Sequence, residues 1–376
     1  MRSKRWLHTA AMALALMLLL APVTSARALP PSPSVTSAAS VVIEVSSGFA
    51  LFGSNAHMKL PMASTTKIMT ALVAVENASL DDMVTVSPNA YGVEGSSMYL
   101  LLGETVSMRD LLYGLMIASG NDAAIAIAEH VGGSVEAFAE MMNDRAQELG
   151  LYNTHFVTPN GLHDEDHYTT AYDLAIITAA ALEHDTIDEI VGSQYYTTQT
   201  GDHERVFRNK NKLLWNYDGA DGVKTGYTIA AGKCLIFSAT RGSMRVIGVT
   251  LRSSDIFYDA RNMLDYAFEN YENRVVVAKG KPVAWIDVEG GYKNQLALCS
   301  NEDIMLPVAK GSADGYAIRL NVDDVAAAPI LAGDVLGTLT VYDELGRSKA
   351  VKLTAAATIE RRSFFDYICN VLSKWG

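Results

Sequence analysis

The chain has 376 residues, 49% of them hydrophobic and 19% charged, which is enough for two or three domains with substantial cores. Its 42 acidic and 30 basic residues give a net charge of −12, which argues against binding to the phosphate backbone of a nucleic acid. Its three cysteines (Cys234, Cys299 and Cys369) are too few, and odd in number, for a disulfide framework, and they lack the CxxC or Cys/His spacing of a zinc ribbon.

The N-terminus has the pattern of an export signal. Basic residues precede an apolar run from Ala10 to Ala21, and Ala26-Arg27-Ala28 offers small residues where a signal peptidase reads. We therefore predict a signal peptide over residues 1–28. The apolar run is shorter than the roughly 20 residues that span a bilayer. An uncleaved membrane anchor is the alternative.

After a proline-rich linker over residues 29–40, the chain alternates between strand-like and helical patterns. Val41–Val45 and Phe49–Phe52 predict a hairpin, and Pro61 can open a helix. Further helices are predicted over Leu111–Ala118, Ala123–His130, Ser134–Gly150, Leu174–Leu182 and Asp259–Tyr271. Strands are predicted over Cys234–Ser238 and Arg245–Leu251. This order predicts a mixed α/β domain.

Beyond Arg274 the helical spacing stops, and short β-branched or alternating runs predict a small all-β domain over residues 275–357. The segment 358–376 has the pattern of an amphipathic helix with basic flanks. Its apolar stripe consists of Phe364, Phe365, Ile368, Leu372 and Trp375. We predict that this helix lies in a membrane interface. A terminal helix that docks on the protein's own core is the alternative.

Ser64-Thr65-Thr66-Lys67 places a serine and a lysine three residues apart in the helix predicted from Pro61. On a helix such side chains share a face, with Cβ atoms about 5–6 Å apart. A serine hydroxyl is a weak nucleophile until a base takes its proton. A lysine can be that base when burial or a nearby cation lowers its pKa. Alone, the pattern also fits an exposed helical serine and lysine.

Two further motifs carry groups that could serve the same cleft. Lys224-Thr225-Gly226 leads into the strand-rich stretch, where an edge strand would offer a charge and a hydroxyl to a carboxylate, and glycine would allow close approach. Alone, this motif also fits a surface turn. Ser119-Gly120-Asn121 falls at the break between two apolar helices, and Asp122 is predicted to cap the second.

The three motifs together, in the order SxxK, SxN and KTG, resemble those of penicillin-binding proteins and serine β-lactamases. More narrowly, the chain is similar to the low-molecular-mass D-alanyl-D-alanine carboxypeptidases. The similarity runs from about Val41 to the C-terminus. It includes the contexts of the three motifs, Gly95-Ser96-Ser97, Asn153-Thr154-His155-Phe156 and Leu213-Leu214-Trp215.

The resemblance implies a role for each matching residue on the nucleophile side of the cleft. Ser64 is the nucleophile that forms the acyl ester, and Lys67 is its general base. Ser119 relays protons between the lysines and the leaving amine, and Asn121 holds the substrate amide.

On the other side of the cleft, Lys224 and Thr225 hold the terminal carboxylate, and Gly226 lets the substrate backbone approach. The backbone N–H groups of Ser64 and Tyr227 form the oxyanion hole. Two lysines in one cleft repel each other, which favours a neutral general base.

The expected architecture is an α/β (mixed α+β) β-lactamase/transpeptidase-like catalytic domain over residues 41–274, followed by the all-β domain and the amphipathic helix. The resemblance implies neither a cofactor nor a metal. Its implied partners are a peptidoglycan stem peptide ending in D-Ala-D-Ala, β-lactam antibiotics as covalent inhibitors, and the membrane surface, with no nucleic acid. The implied location is the extracytoplasmic face of the bacterial membrane.

The sequence departs from the family pattern at two positions. Tyr227 stands where some relatives have histidine, and the implied role uses only its backbone. Lys210 stands where some relatives have arginine, so Lys210, Arg252 and Arg261 remain unranked as additional cations for the carboxylate.

The segment His163-Asp164-Glu165-Asp166-His167 carries potential metal ligands. Zinc peptidases usually hold such ligands on a helix or on several strands, and no HExxH motif is present. We therefore predict a solvated loop that leads into the helix near Asp173.

Three other functions fit part of the pattern. A β-lactamase of the same fold would need a group for fast deacylation, and Glu165 lies in surroundings that do not match the class A motif. An endopeptidase would cleave the peptide cross-links of the cell wall instead of removing terminal residues. A non-catalytic wall-binding protein would not need the complete set of motif residues.

Overall fold

The computed structural model describes residues 31–200, 203–312, 315–343, 345–363, 365, 366 and 368. The predicted signal peptide and most of the predicted C-terminal helix lie outside the described residues. Within this part of the chain, no helix combines the length and apolar character needed to cross a membrane.

Several helices begin where a side chain satisfies a free backbone N–H of the first turn. Ser107, Ser134, Thr170 and Asp255 each accept a hydrogen bond from the N–H three residues on. The helices are α1 (Lys67–Asn77), α2 (Met108–Tyr113), α3 (Asn121–Gly132), α4 (Val135–Glu148), α5 (Ala171–Ala181), α6 (Asp185–Gly192), α7 (Leu213–Asn216) and α8 (Ile256–Asn270).

Two short helical turns that are not α-helical adjoin these helices. A 3-10 turn over Ala63–Thr66 leads directly into α1, and a π-helical turn over Gly114–Ala118 extends α2. The strands of the first part are β1 (Ala39–Glu44), β2 (Ala50–Ser54), β3 (Met83–Thr85), β4 (Thr105–Ser107), β5 (Tyr195–Thr200), β6 (His203–Arg208), β7 (Ala220–Thr228), β8 (Gly232–Arg241) and β9 (Met244–Ser253).

The main sheet is antiparallel, with the strand order β2-β1-β9-β8-β7. Helices cover both of its faces, and the alternation of side chains along a strand divides the core between them. In β1, Val41 and Ile43 pack in the cluster that includes α1, α3 and α5, whereas Val42 packs in the cluster with α8. Since β7 ends the sheet, its free edge is available to a ligand.

The C-terminal part, here called the β domain, consists of strands β10–β17. They are β10 (Tyr271–Val277), β11 (Pro282–Glu289), β12 (Gln295–Cys299), β13 (Ile304–Ala309), β14 (Tyr316–Val322), β15 (Val325–Ala327), β16 (Val335–Asp343) and β17 (Ser348–Ala355). β10 pairs with β13, and the other strands form a sheet with the order β14-β16-β17-β12-β11-β15. These strands enclose a separate apolar core.

The expected order of a mixed α/β domain followed by an all-β domain is confirmed. The hairpin β1–β2 and the strands β8 and β9 lie where the apolar pattern predicted them. The hairpin β5–β6 was not predicted, because its Thr, Gln and Arg residues hide the strand pattern.

Candidate active site

Ser64 and Lys67 meet where the 3-10 turn passes into α1. Lys67 Nζ lies 3.1 Å from Ser64 Oγ, as their spacing along the chain predicted. Ser64 is partly exposed, whereas Lys67 is completely buried. The preceding residue, Ala63, has φ +50°, a conformation that L-residues rarely adopt and that concentrates at functional sites. The turn therefore presents the hydroxyl while it hides the amine.

Two carbonyl oxygens complete the hydrogen bonds of Lys67 Nζ. One is Asn121 Oδ1 at 2.7 Å, and the other is the backbone oxygen of Asn160 at 2.6 Å. Both groups can only accept hydrogen bonds. A neutral amine has two N–H donors, so bonds to these oxygens leave its lone pair for the hydroxyl of Ser64.

The pKa of Lys67 is lowered well below its ordinary value, and burial is the main cause. The nearby ammonium groups of Lys224 and Lys210 lower it further, and Asp122 acts in the opposite direction. Such an environment favours the neutral amine, which is the form that can accept a proton.

Ser119 and Asn121 flank the break between the π-helical turn and α3. Ser119 is buried with φ +64°, and its hydroxyl makes no hydrogen bond with another described residue. Asn121 begins α3, and its Nδ2 donates to Glu94 O at 2.6 Å. Its backbone N–H donates to Ser96 O at 2.7 Å. The break thus joins Lys67 to the loop that precedes Met98.

Asp122 does not cap α3, contrary to the prediction. The N-cap residue is Gly120, and the buried carboxylate of Asp122 instead accepts hydrogen bonds from Met98 N at 3.0 Å and Leu100 N at 3.1 Å. It also accepts from Ser97 Oγ at 2.5 Å. Asp122 therefore holds the extended segment that forms one wall of the cleft.

Lys224, Thr225 and Gly226 lie on the edge strand β7, as predicted. Lys224 is buried, and its Nζ donates to Thr225 O at 3.1 Å. Burial and the charge of Lys210 lower the pKa of Lys224 to about 7. A Cβ at Gly226 would lie 3.1 Å from Ser64 N and from Met62 O. Glycine at this position therefore lets β7 pass directly beside residues 63–67, here called the nucleophile turn because they include Ser64, the expected nucleophile.

Tyr227 follows Gly226 on β7, and its side chain is exposed. The resemblance assigns its backbone N–H to the oxyanion hole. Three residues were candidates for an additional cation at the carboxylate site: Lys210, Arg252 and Arg261. Of these, Lys210 is the one whose charge lowers the pKa of both Lys67 and Lys224. Lys210 also donates to Ser96 Oγ at 3.1 Å. Arg252 instead donates to Ala230 O at 3.1 Å, and Arg261 is exposed on α8.

A cavity of about 700 Å³ adjoins Lys210 and Ser96. The loop from Gly95 to Tyr99 forms one wall, and β6 forms the other. Arg205 ties the two walls together, because it donates to Tyr99 O at 2.9 Å and to Glu104 at 2.6 Å.

The loop from Val157 to Leu162 is the part of the site that sequence reasoning missed. The backbone oxygen of Asn160 accepts a hydrogen bond from Lys67. A backbone contact of this kind leaves no pattern in the side chains of the sequence. The loop fits closely against the nucleophile turn, because Gly161 has φ +83° and a Cβ there would overlap Ala63 O. Pro159-Asn160-Gly161 is a turn signal that could have located the loop but not its contact with Lys67.

The segment 163–167 is only partly the solvated loop that was predicted. His163 and Glu165 are exposed, but His167 is buried, with 2% of its surface accessible. The prediction was wrong for His167 because the chain turns inward after Asp166. Among the described residues, no group of three or more His, Cys, Asp or Glu side chains is arranged to hold a metal ion.

Comparison with family models gives two matches. Residues 25–255 match the peptidase family S11 model described as D-alanyl-D-alanine carboxypeptidase. Residues 271–361 match the model of the penicillin-binding protein 5 C-terminal domain.

Known proteins that resemble the chain cover most of its length. The D-alanyl-D-alanine carboxypeptidase DacF of Bacillus subtilis is 34% identical over 345 residues, which is 89% of each chain. The structure of penicillin binding protein 5 from Haemophilus influenzae is 31% identical, with a TM-score of 0.74 over 88% of this chain and all of that one. The Streptomyces K15 DD-transpeptidase structure is 36% identical, with a TM-score of 0.61 over 64% of this chain and all of that one.

Proposed function

The chain belongs to the D-alanyl-D-alanine carboxypeptidase family of serine peptidases, and from this membership we propose that it removes the terminal D-alanine of peptidoglycan pentapeptides. The reaction proceeds through an acyl ester on Ser64, which penicillin also forms. The observation that carries the proposal is the 3.1 Å distance between Ser64 Oγ and the buried amine of Lys67.

In the acylation step, the neutral amine of Lys67 takes the hydroxyl proton as Ser64 Oγ attacks the carbonyl carbon of the penultimate D-alanine. The amine is oriented because Asn121 Oδ1 and Asn160 O bind its two N–H groups. When the C–N bond breaks, the proton passes from Lys67 to the leaving amine, with Ser119 as the relay. In deacylation, Lys67 takes a proton from water as the water oxygen attacks the ester carbon. Lys67 then passes this proton to Ser64 Oγ as the bond between Oγ and the carbonyl carbon breaks, which releases the shortened peptide with its new carboxylate.

The substrate's terminal carboxylate binds the ammonium of Lys224 and the hydroxyl of Thr225, and Lys210 adds a second positive charge. The carboxylate favours the charged form of Lys224, whose pKa in the empty site is about 7. The N–H groups of Ser64 and Tyr227 form the oxyanion hole, where each donor is worth about 3–4 kcal/mol in other enzymes. The close approach of Gly226 to Ser64 supports this pairing.

Within the part of the chain that is described, no carboxylate forms a hydrogen bond with Ser64 or Lys67, and Glu165 is exposed. We therefore expect slow deacylation of the penicillin adduct, whereas a β-lactamase deacylates fast. The intact motif residues and the buried amine likewise favour catalysis over a purely structural role in the wall.

The test is intact-protein mass spectrometry after brief exposure to penicillin, together with D-alanine release from a tripeptide that ends in Lys-D-Ala-D-Ala. We expect a long-lived adduct on Ser64 and steady D-alanine release, both abolished in Ser64→Ala. Ser87→Ala, a serine in a surface turn, is the matched control. Prompt release of the adduct would favour a β-lactamase, and full D-alanine release by Ser64→Ala would refute the assignment.

A second candidate function is the cleavage of peptide cross-links by the same site. The cavity lined by Lys210 and Ser96 favours it, because it offers space for a larger leaving group beside the positive charge that Lys210 adds to the proposed carboxylate site. Incubation with dimeric muropeptides decides the matter, since an endopeptidase yields monomers whereas a strict carboxypeptidase only trims terminal D-alanine.

We also propose export and peripheral anchoring. The basic and apolar pattern of residues 1–28 supports export, and the amphipathic pattern of residues 358–376 supports attachment to the membrane surface. Residues 41–274 then form the catalytic domain, and residues 275–357 hold it away from the bilayer. Deletion of Phe364–Gly376 should move the protein to the soluble fraction with full activity, and continued membrane association would refute the anchor.

A further inference from the structure

His167 is a buried imidazole that lies between the nucleophile turn and the loop Val157–Leu162. Its Nδ1 lies 3.0 Å from Val157 N, and its Nε2 lies 2.8 Å from Thr66 Oγ1. The Thr66 hydroxyl lies 2.8 Å from Ala63 O. The ring therefore links two segments that are distant in sequence and adjacent at the site.

The direction of each hydrogen bond follows from the backbone. Because Val157 N–H can only donate, His167 Nδ1 accepts and carries no proton. The proton of the neutral ring is then on Nε2, which donates to Thr66 Oγ1, and the Thr66 hydroxyl donates in turn to Ala63 O. Protonation of Nδ1 would set two donors against each other and break the contact with Val157.

The segment that His167 holds is the one that closes the site over Lys67. Asn160 O accepts from Lys67 at 2.6 Å, and Pro159 O accepts from Thr70 Oγ1 at 2.6 Å. Movement of this loop would therefore remove one of the two fixed acceptors of the amine and admit water to a side chain that is completely buried.

We propose that His167 is a positioning residue for the general base. Its Nδ1 accepts the N–H of Val157 and so holds the loop in place, so that Asn160 O orients the amine of Lys67 and the lone pair of the amine faces Ser64. The proposal rests on the proposed function, in which Lys67 takes the proton of Ser64.

The imidazole of His167 stays neutral in the pH range where such an enzyme works. Burial is the main cause that lowers the pKa of His167, to about 4, against the opposing effect of Asp164. The groups that face it on His155, His163 and Lys67 lower it further whenever they carry a proton. The hydrogen-bonding pattern described above therefore persists down to mildly acidic pH.

Two substitutions distinguish the hydrogen bond of His167 Nδ1 from that of Nε2. In His167→Asn the amide oxygen can replace Nδ1 as the acceptor for Val157, whereas in His167→Gln the amide reaches the Nε2 position near Thr66 and leaves Val157 without its acceptor. His163→Gln, an exposed histidine of the same segment, is the matched control. The measurement is the rate constant of acylation by penicillin as a function of pH, with thermal denaturation recorded in parallel.

We expect His167→Asn and His163→Gln to acylate within about threefold of the wild-type rate, and His167→Gln to be slower by about 10- to 100-fold. Water entry raises the pKa of Lys67 in His167→Gln, so the acid limb of its profile moves up by about one pH unit. Non-covalent binding of penicillin should change little, because Lys224 and Thr225 are not displaced. A loss of stability alone would not move the acid limb.

An unshifted acid limb in His167→Gln, or an equal loss in His167→Asn, would overturn the positioning role while the proposed function stands. A wild-type protein that penicillin does not acylate would instead overturn the proposed function, and this proposal with it. If His167→Gln does not fold, His167→Met removes the same acceptor for Val157 with an apolar side chain of similar length, and there a shifted acid limb supports the proposal and an unshifted one contradicts it.

Discussion

Asn121 Oδ1 lies 2.7 Å from the amine nitrogen of Lys67, and the nitrogen of the same side-chain amide lies 2.6 Å from Glu94 O. The contact with Glu94 fixes the amide orientation, since only the NH₂ end can donate to a carbonyl. Asn121 therefore accepts an N–H from Lys67 without bringing a charge. An uncharged amide at this position, in place of a carboxylate, favours the neutral form of the Lys67 amine.

Replacing Asn121 with aspartate should abolish this advantage. A carboxylate so close to the amine favours the ammonium form, so the pKa of Lys67 rises and the neutral fraction at pH 7 falls. We expect acylation by penicillin at pH 7 to slow by about 100-fold or more, because a correctly positioned general base contributes about 10²–10⁴-fold. The rate should recover partly as pH rises. Acylation rates across pH measure this, with the exposed Asn153→Asp as the control. A pH-independent loss would contradict the explanation.

The placement of the proposed catalytic side chains could be predicted because their signals are local. The spacing of Ser64 and Lys67 within one helix, the helix break at Ser119 and the edge strand of Lys224 can each be recognised from a short stretch of sequence. Asn160 and His167 could not be predicted in this way, because they contact the nucleophile turn across 93 and 101 residues.

The local sequence was misleading at His167. Its polar neighbours from His163 to Asp166 predict exposure, but backbone pairing of Tyr168 with His155 and of Thr169 with Leu60 draws the next residues into the core. Asp122 was misassigned for a related reason. Its position at the helix start fits a cap, but the backbone N–H groups it binds belong to a distant extended segment.

Gly226→Ala should impair catalysis with little loss of stability. The added Cβ would lie 3.1 Å from Ser64 N, Thr65 N and Met62 O, which is closer than ordinary van der Waals contact. Either β7 or the nucleophile turn must move, so the two proposed oxyanion donors separate. We expect acylation to slow by about 10²-fold, close to the loss of one oxyanion donor.

Gly53→Ala on β2 is the control for this substitution, since the nearest atom to its Cβ would be a side-chain atom, Ala56 Cβ at 3.3 Å, and the nearest backbone atom, Ser40 O, would lie at 3.9 Å. Penicillin acylation kinetics and the melting temperature are measured on both variants. Wild-type kinetics in Gly226→Ala would show that the approach of β7 to Ser64 does not matter for the reaction.

The pH profile of kcat/KM should be bell-shaped. Activity rises with pH as Lys67 becomes neutral, because burial and then Lys224 and Lys210 lower its pKa well below the ordinary value. We expect activity to fall at higher pH as Lys224, whose pKa is about 7 in the free enzyme, loses the charge that we propose binds the carboxylate. In the profile of kcat the alkaline limb should lie at higher pH, because the bound carboxylate favours the charged form of Lys224.

Lys210→Met should move both limbs in the same direction. The ammonium of Lys210 lowers the pKa of Lys67 and of Lys224, so its removal raises both values. We expect a shift of about half a pH unit to one unit upward, with an increased KM for substrates that end in a free carboxylate. Lys212→Met, two residues away, is the control. Limbs that stay in place would mean that the charge of Lys210 does not reach the two lysines.

Lys224→Met should stabilise the protein at neutral pH while it weakens substrate binding. The pKa of Lys224 is about 7 in the folded state and near 10.5 when unfolded. Between these values the unfolded chain binds more protons, so the free energy of unfolding rises with pH by up to about 1.4 kcal/mol per unit. Methionine removes this dependence. Urea unfolding at several pH values between these limits should give a smaller slope than in wild type or in the exposed Lys233→Met. An equal slope would contradict a buried lysine with a lowered pKa.

The turn between β1 and β2 should couple the catalytic part to the β domain. Phe49 leaves the hairpin and packs in the core of the β domain, with the guanidinium of Arg347 4.9 Å from its ring centre. Lys349 Nζ donates to Ser46 O at 2.7 Å, and Asn273 Nδ2 donates to the buried Glu44 at 2.8 Å.

Phe49→Ala removes the apolar anchor of this contact. We expect the β domain to lose about 3 kcal/mol of stability, a typical cost for truncating a buried phenylalanine. Hydrogen exchange should therefore accelerate in strands β11–β17, while D-alanine release stays at the wild-type rate because the site lies on the other elements. Phe52→Ala is the matched truncation on the same hairpin. Phe52 packs against Tyr266 on α8, so its loss should accelerate exchange around α8 instead. If Phe49→Ala left exchange in the β domain unchanged, the hairpin would only touch that domain without stabilising it.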